Sequence, residues 1–549
     1  GFTGRVRGRR LLLAGGLLIV AALGAALTIW RPWYPVPKPV GQVPERVPSV
    51  LALPCKVYGA PDVAFLTDAV PGTISTLLAQ VEGLDTKVPP TSLEVEKVKG
   101  DLARLAELYD VSSFIVTSID TSTGRFALNV QLVDAATRKV RWGRQYEGPR
   151  GGYNDLARDA ADGIRQAVNP AAPPVPAPRV SSEAELAFRE GTFYFDRYHT
   201  FYRPVDFESA VAAFTRALAL DSSFAIAAGK IAGLFAARLL VEGDVHDLRD
   251  QVESCARRAL GIDPRCGEAW SALSLVEAGA THADPERATD HAVKAVTFAP
   301  RDASAHLILA GWMPTGSLGL AASLHSAELN PFLFNADRSA AFNLCLLGRP
   351  GDALTLLDRV LRVQPDWVFG LLTRSSALTT LGRLEEAEST LRRCEAAANA
   401  EQLPREGWRV KRFALAVAQR DTALSEALAQ QIIASVLDSR ASANLVDITA
   451  CSAAPALAHM GRTDDAIRIL EKSVEVGYPP PYDWLLVDPD IQLLRNDPRF
   501  AKVLAGTRDS AAMTARVFGQ ARARGELPSY LNQPLDQLVK LLKDNEGTN

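Results

Sequence analysis

At 549 residues the chain is too long for one hydrophobic core, so length alone predicts two to four domains. With 60 basic against 63 acidic residues and a formal net charge of −3, no electrostatic footprint for nucleic acid spreads over it, and none is expected as a partner. Cys55, Cys255, Cys266, Cys345, Cys394 and Cys451 form no C-x-x-C pair, which argues against zinc or dithiol chemistry and for small buried apolar residues; spacing does not decide whether Cys255 and Cys266 are bridged.

The chain opens on Gly1 in a basic flank, residues 1–10, so a preceding portion is expected. Residues 11–30 then carry no charge, and at ~1.5 Å per residue they span a bilayer core of ~30 Å as one helix. Arg5, Arg7, Arg9 and Arg10 place the first end in the cytoplasm by the positive-inside rule, with Trp30, Trp33 and Tyr34 at the far interface. The competing reading is a cleaved signal peptide, since small residues stand near Ala22 and Ala26. Ala21 and Ala25 make a small-xxx-small pair of the kind that supports a helix homodimer, and read equally as lipid-facing alanines. Residues 31–48 are proline-rich and predict a stiff spacer.

Residues 49–168 predict a small α/β domain: a buried strand at 50–53, a helix at 65–81, a second helix at 95–109 and a strand at 113–118. A hairpin follows at 125–133 and 139–146, and a helix closes the domain at 153–168. Asp134 is read as initiating the hairpin turn through its side chain.

The hairpin QLVDAATRKVRW at 131–142, the VLALP strand and the LAELYDVSSFIV passage resemble the TolB amino-terminal-like and FlgO-like domains of bacterial envelope proteins. The resemblance implies a protein-binding module. Members usually carry Gly where this chain has Arg138; a left-handed residue there costs a side chain about 1 kcal/mol, so a reshaped turn is expected.

Residues 169–181 form a proline-alanine linker. Beyond it, LGRPGDALTLL at 347–357 recurs as LGRLEEAESTL at 381–391, mapping Gly348 to Gly382 and Ala353 to Ala387 by 34 residues. MGRTDDAIRIL repeats the internal spacing at Gly461 and Ala466. Helix-ending prolines punctuate the stretch at Pro264, Pro300, Pro331 and Pro365. A period of 34 is that of tetratricopeptide (TPR) repeats, and residues 182–476 are read as six to eight of them, irregular near 310–319. Ala210, Phe214 and Ala217 fall on the second helix of a first repeat, and Trp270 with Leu273 on the first helix of a later one. The fold class is thus mainly α: a transmembrane helix, a TolB-like α/β domain and a TPR α-solenoid, with a helical cap at 477–549.

VDPDIQLLRNDPRFAKVL at 487–504 resembles the closing segment of bacterial proteins that join a TolB-like domain to TPRs behind a membrane helix. Relatives of that kind often carry a cytoplasmic serine/threonine kinase, a nucleotide cyclase or a winged-helix regulator. This chain shows no phosphate loop, H-R-D or D-F-G, no metal-ligand spacing among its seven histidines and no cofactor motif. The expectation is a non-enzymatic scaffold or sensing module in the bacterial inner membrane, single-pass, with its bulk outside the cytoplasm; the alternative is the regulatory half of a kinase or winged-helix regulator. Protein or peptide partners are expected on the concave TPR face at Asn335, Arg338 and Phe342, with Arg338 suited to clamp a carboxylate. Tyr194, in the aromatic run FYFDRYHTFY, is read either as a peptide-stacking edge or as packing for the first repeat and a long inter-helix loop.

Overall fold

The computed structural model describes residues 47–545 apart from 60–62, 177–179, 202, 243–246, 279–282, 401–405 and 439–442. The expected membrane helix and nearly all of the proline-rich spacer lie outside the described residues. Among the described residues no helix is long and apolar enough to cross a membrane.

Six strands build one sheet: β1 Ser49–Ala52, β2 Lys56–Tyr58, β3 Asp85–Thr86, β4 Ser113–Asp120, β5 Arg125–Asp134 and β6 Val140–Pro149. The order is β3-β1-β4-β5-β6, with β2 also on β4. β1 runs parallel to β3 and β4, while β4, β5 and β6 are antiparallel. Every residue of β1 is buried because both faces of the sheet are covered. Helices α1 (Leu66–Leu78) and α4 (Tyr153–Val168) close one face over Val50, Ala52, Ile115 and Leu128. Leu51, Leu53 and Phe114 point to the other face.

The helix expected at 95–109 is instead two, α2 (Ser92–Lys97) and α3 (Leu102–Tyr109). Lys99 and Gly100 between them both take positive φ, and Asp101 restarts the chain by accepting the Ala103 and Arg104 amides. The hairpin turn is not reshaped either: Arg138 itself adopts the left-handed region, φ 62°. Asp134 holds the turn, its Oδ1 accepting from the Ala136 and Thr137 amides and the Thr137 hydroxyl. The Arg138 guanidinium lies 5.4 Å from the Phe114 ring centroid, an attraction that offsets part of the strain.

Among the described residues, sixteen helices then form eight successive pairs. The first is α5 (Ser182–Phe201) with α6 (Pro204–Leu220), then α7 (Ala225–Glu242) with α8 (Leu248–Ile262), and α9 (Gly267–Ala278) with α10 (Pro285–Phe298). The fourth joins α11 (Ala303–Gly311) to α12 (Gly316–Leu329), the fifth α13 (Phe334–Leu346) to α14 (Pro350–Val363). The sixth is α15 (Val368–Thr380) with α16 (Leu384–Ala400), the seventh α17 (Glu406–Ala418) with α18 (Thr422–Val436), the eighth α19 (Ala443–His459) with α20 (Thr463–Glu475). Pro264, Pro300, Pro331 and Pro365 each stand two residues past the end of α8, α10, α12 and α14, where proline prevents continuation. The irregular stretch near 310–319 is the shortest of these helices, α11, followed by its turn into α12.

Small residues let the paired helices approach. Ser375 of α15 donates its hydroxyl to the Ala387 carbonyl of α16 at 3.3 Å, and Ser274 of α9 does the same to Ala288 of α10 at 3.0 Å. Ala353, Ala387 and Ala466 are fully buried on the second helices of their pairs, as are Ala210, Phe214 and Ala217 on α6. Burial of a side chain such as Phe214 contributes about 1.5–3 kcal/mol. The aromatic run is helical through Phe201, so the long inter-helix loop expected there is absent, and α6 begins at Pro204.

After the eighth pair the chain turns back. A short helix α21 (Tyr482–Val487) leads to α22 (Pro498–Ala523), which packs on both α20 and α10, and α23 (Asn532–Asp544) lies against α12.

Candidate functional site

The first helices of successive pairs contact one another from α5 to α19, and this row forms the inner wall of the solenoid. Asn335, Arg338 and Phe342 recur at three and four residues on α13 and so share one face of it. Asn335 is exposed, and its Oδ1 lies 3.3 Å from the Arg338 Nε. Arg338 is half-buried. Phe342 packs against the cluster built by the seventh and eighth pairs, so the wall curls until the fifth pair meets them. Tyr194 is half-buried, edge-on to Phe193 at 5.4 Å, and packs into the core of the first two pairs.

Two residues join this face that the sequence had not singled out. Phe369 stands 34 residues after Asn335, in the same register of the next repeat, and is 47% exposed. Lys411 reaches in from α17: its Nζ donates to the Ser452 Oγ at 2.6 Å and sits 5.9 Å from the Phe342 ring centroid. The period could have found Phe369; nothing in the sequence marks Lys411, whose place depends on how tightly the wall curls.

The electrostatics here are one-sided. Burial lowers the Arg338 guanidinium from its ordinary value. Burial also pulls the Lys411 amine down to about 8, with Cys345 and Cys451 opposing and Arg338 adding to the fall. Neither cation forms an ion pair with any described residue. A half-buried cation without a carboxylate is costly, and an arriving anion recovers that cost. Nearby charges elsewhere are matched: Asp337, on the opposite face of α13, is paired to Arg359 of α14 and ties the two helices together. The groove therefore presents two cations, an amide and two aromatic rings. Among the described residues no three His, Cys, Asp or Glu side chains converge as metal ligands, and Cys255 and Cys266 are free thiols.

A second polar region couples the α/β domain to the first pair. Tyr153 donates to the Thr73 Oγ1 at 3.0 Å, Thr73 donates in turn to the Glu185 Oε1 of α5 at 3.5 Å, and Arg189 of α5 pairs with Glu185 at 2.7 Å. On the far side, Phe332 and Phe334 before and within α13 pack with Leu105, Tyr109 and Phe114.

No protein family matches the chain, and no curated protein does. Among solved structures it is similar to YrrB, described as a TPR protein with an unusual peptide-binding site, at 20% identity and a TM-score of 0.23, over 33% of this chain and 90% of YrrB. It is also similar to yeast Tom70, at 15% identity and a TM-score of 0.30, over 60% of this chain and 64% of Tom70.

Proposed function

We propose that the chain is a non-catalytic, membrane-held interaction scaffold whose inner groove binds an acidic, extended segment of a partner protein. The observation that carries this is the pair Arg338 and Lys411, half-buried on one wall with no carboxylate among the described residues to match them, beside the rings of Phe342 and Phe369. An aspartate or glutamate side chain, or a chain terminus, supplies the missing charge, and Arg338 can take it through two parallel N–H bonds. An apolar residue of the same segment covers Phe369. Residues 11–30 hold the module in a bacterial inner membrane with the basic flank inside, so the groove faces away from the cytoplasm and serves as the sensing or docking half of a signalling protein.

Fluorescence anisotropy with a labelled Glu-rich peptide carrying one Phe tests the groove. The wild-type protein should bind it with marked salt sensitivity, and a peptide with Lys for each Glu should not bind. Arg338→Ala with Lys411→Ala should weaken binding by at least ~10-fold; unchanged affinity in that double variant would place the binding site elsewhere.

A further inference from the structure

The strand β6 is an outer edge of the sheet: it ends the strand order and has β5 on one side only. On its other side it presents backbone N–H and C=O groups that no described residue pairs with, a template for one more strand. A bulge and a proline close its two ends. Arg141 is left unopposed, since Leu132 pairs with Trp142 and Val133 with Val140, and Pro149 has no N–H to donate. Between them residues 142–148 run in unbroken register with β5, and Gly143, Arg144, Gln145 and Glu147 are exposed.

The order of the side chains says which strand fits. Laid antiparallel on itself about Gln145, the window 142–148 meets its own ends. Trp142 then faces Gly148 of the second copy, Glu147 faces Gly143, Arg144 faces Tyr146, and Gln145 faces itself. Each large side chain meets a glycine or an aromatic ring, and no like charges stand opposite. Charge agrees with shape. Arg144 lies 5.4 Å from its own Tyr146 ring centroid and forms no ion pair with any described residue. Burial raises the Tyr146 hydroxyl from its ordinary value, Arg144 opposes the rise, and Asp159 and Asp162 of α4 add to it, so both carboxylates stand near that ring. They hold Arg158 and Arg165 on their own helix, and a carboxylate accepts from more than one donor. An Arg144 arriving from a second copy is thus brought to an aromatic face with carboxylates beside it.

We propose that β6 pairs antiparallel with β6 of a second copy of this chain, about a two-fold axis at Gln145, so that two sheets become one. Seven residues extend ~23 Å, a small interface of the weak and reversible class.

Disulfide trapping in the full chain tests both the edge and the register, with the wild type, whose own cysteines are free, as the background. Mild oxidation of the Gln145→Cys variant should give a linked dimer, because a residue on the axis meets its own copy at a Cα separation of ~4.5–5.5 Å. Glu147→Cys alone, its two copies ~13 Å apart along the strands, should give at least ~10-fold less, whereas Glu147→Cys mixed with Gly143→Cys should link. Adding Gln145→Lys to both members of that mixture should abolish the link, and Gln145→Lys on one with Gln145→Glu on the other should restore it. A Gln145→Cys chain that stays monomeric, whether its edge is open or covered by another strand, equal linking by Glu147→Cys alone, or a mixture indifferent to the charge at 145 would each overturn the pairing.

Discussion

Two arginines occupy backbone positions that favour glycine, and they show what a single residue hides. Gly348, Gly382 and Gly461 end their helices at φ 70°, 71° and 78°, with no atom near enough to bar a side chain, so only conformational strain selects glycine there. In the seventh pair Arg420 takes that place at φ 59°, closing the turn with the same backbone bonds. The glycine that marks the other repeats is missing, which is why the seventh was hard to see in sequence. Arg420→Gly should stabilise the protein by about 1 kcal/mol in denaturant melts, whereas Arg138→Gly should yield less, since it also loses the Phe114 contact. Burial supplies a second residue-level expectation. Asp196 keeps its proton to about 7 when folded but only to about 4 when unfolded. Between those values the native state binds more protons, so its contribution to stability is present below pH 4 and is lost as pH rises through 7. Thermal melts across that window should show a shallower fall for Asp196→Asn than for wild type; identical slopes would mean Asp196 does not titrate there.

Helices and strands were legible where periodicity was strong and local. The 34-residue spacing located the fifth, sixth and eighth pairs because Gly and Ala recur at fixed positions, and the prolines two residues past α8, α10, α12 and α14 marked their ends. The break between α2 and α3 was missed because the apolar spacing continues through Lys99 and Gly100, and β2 and β3 are too short to show alternation. The groove was half legible: Asn335, Arg338 and Phe342 follow from repeat register, Phe369 follows from the same period, and Lys411 depends on curvature. Helix crossing and ligand face can be separated by mutation. Ala387 is fully buried against α15, where Ser375 bonds its carbonyl, so Ala387→Leu should overpack the crossing and cost ~1–3 kcal/mol. Arg338→Ala, whose side chain has an amide partner on its own helix and no ion pair among the described residues, should cost under ~0.5 kcal/mol. Urea melts of both variants would reverse the assignment of core and groove if the arginine change proved the larger.

An isolated TPR array is close to one-dimensional: each repeat touches only its neighbours, and unfolding can proceed repeat by repeat. Three contacts here break that rule. The α/β domain packs on α5 of the first pair and on Phe332 and Phe334 of the fifth. α22 packs on α20 and on α10, with Phe518 and Leu535 in the same cluster as Val293 and Leu318. The turn after α20 docks on the middle of the array, where the Ala283 amide donates to the Val476 carbonyl at 2.8 Å and the Tyr482 amide to the Pro314 carbonyl at 2.7 Å. None of these is visible in sequence, since they join segments more than 100 residues apart whose apolar faces resemble those that stack within a repeat. They make the curvature a shared property of distant pairs, and the groove at Arg338 and Lys411 exists only while that curvature holds. Gly477 is the sensitive point, since it sits at φ 79° and a Cβ there would lie 2.2 Å from the Ala283 carbonyl oxygen. Gly477→Ala must therefore displace the turn from the third pair. Hydrogen exchange should then speed up both near α20 and in α10, although α10 lies far from the mutation in sequence, and the thermal transition should be broader than that of the wild type. Faster exchange confined to α20 and α21 would show that the array behaves as independent repeats and that its curvature needs no closure.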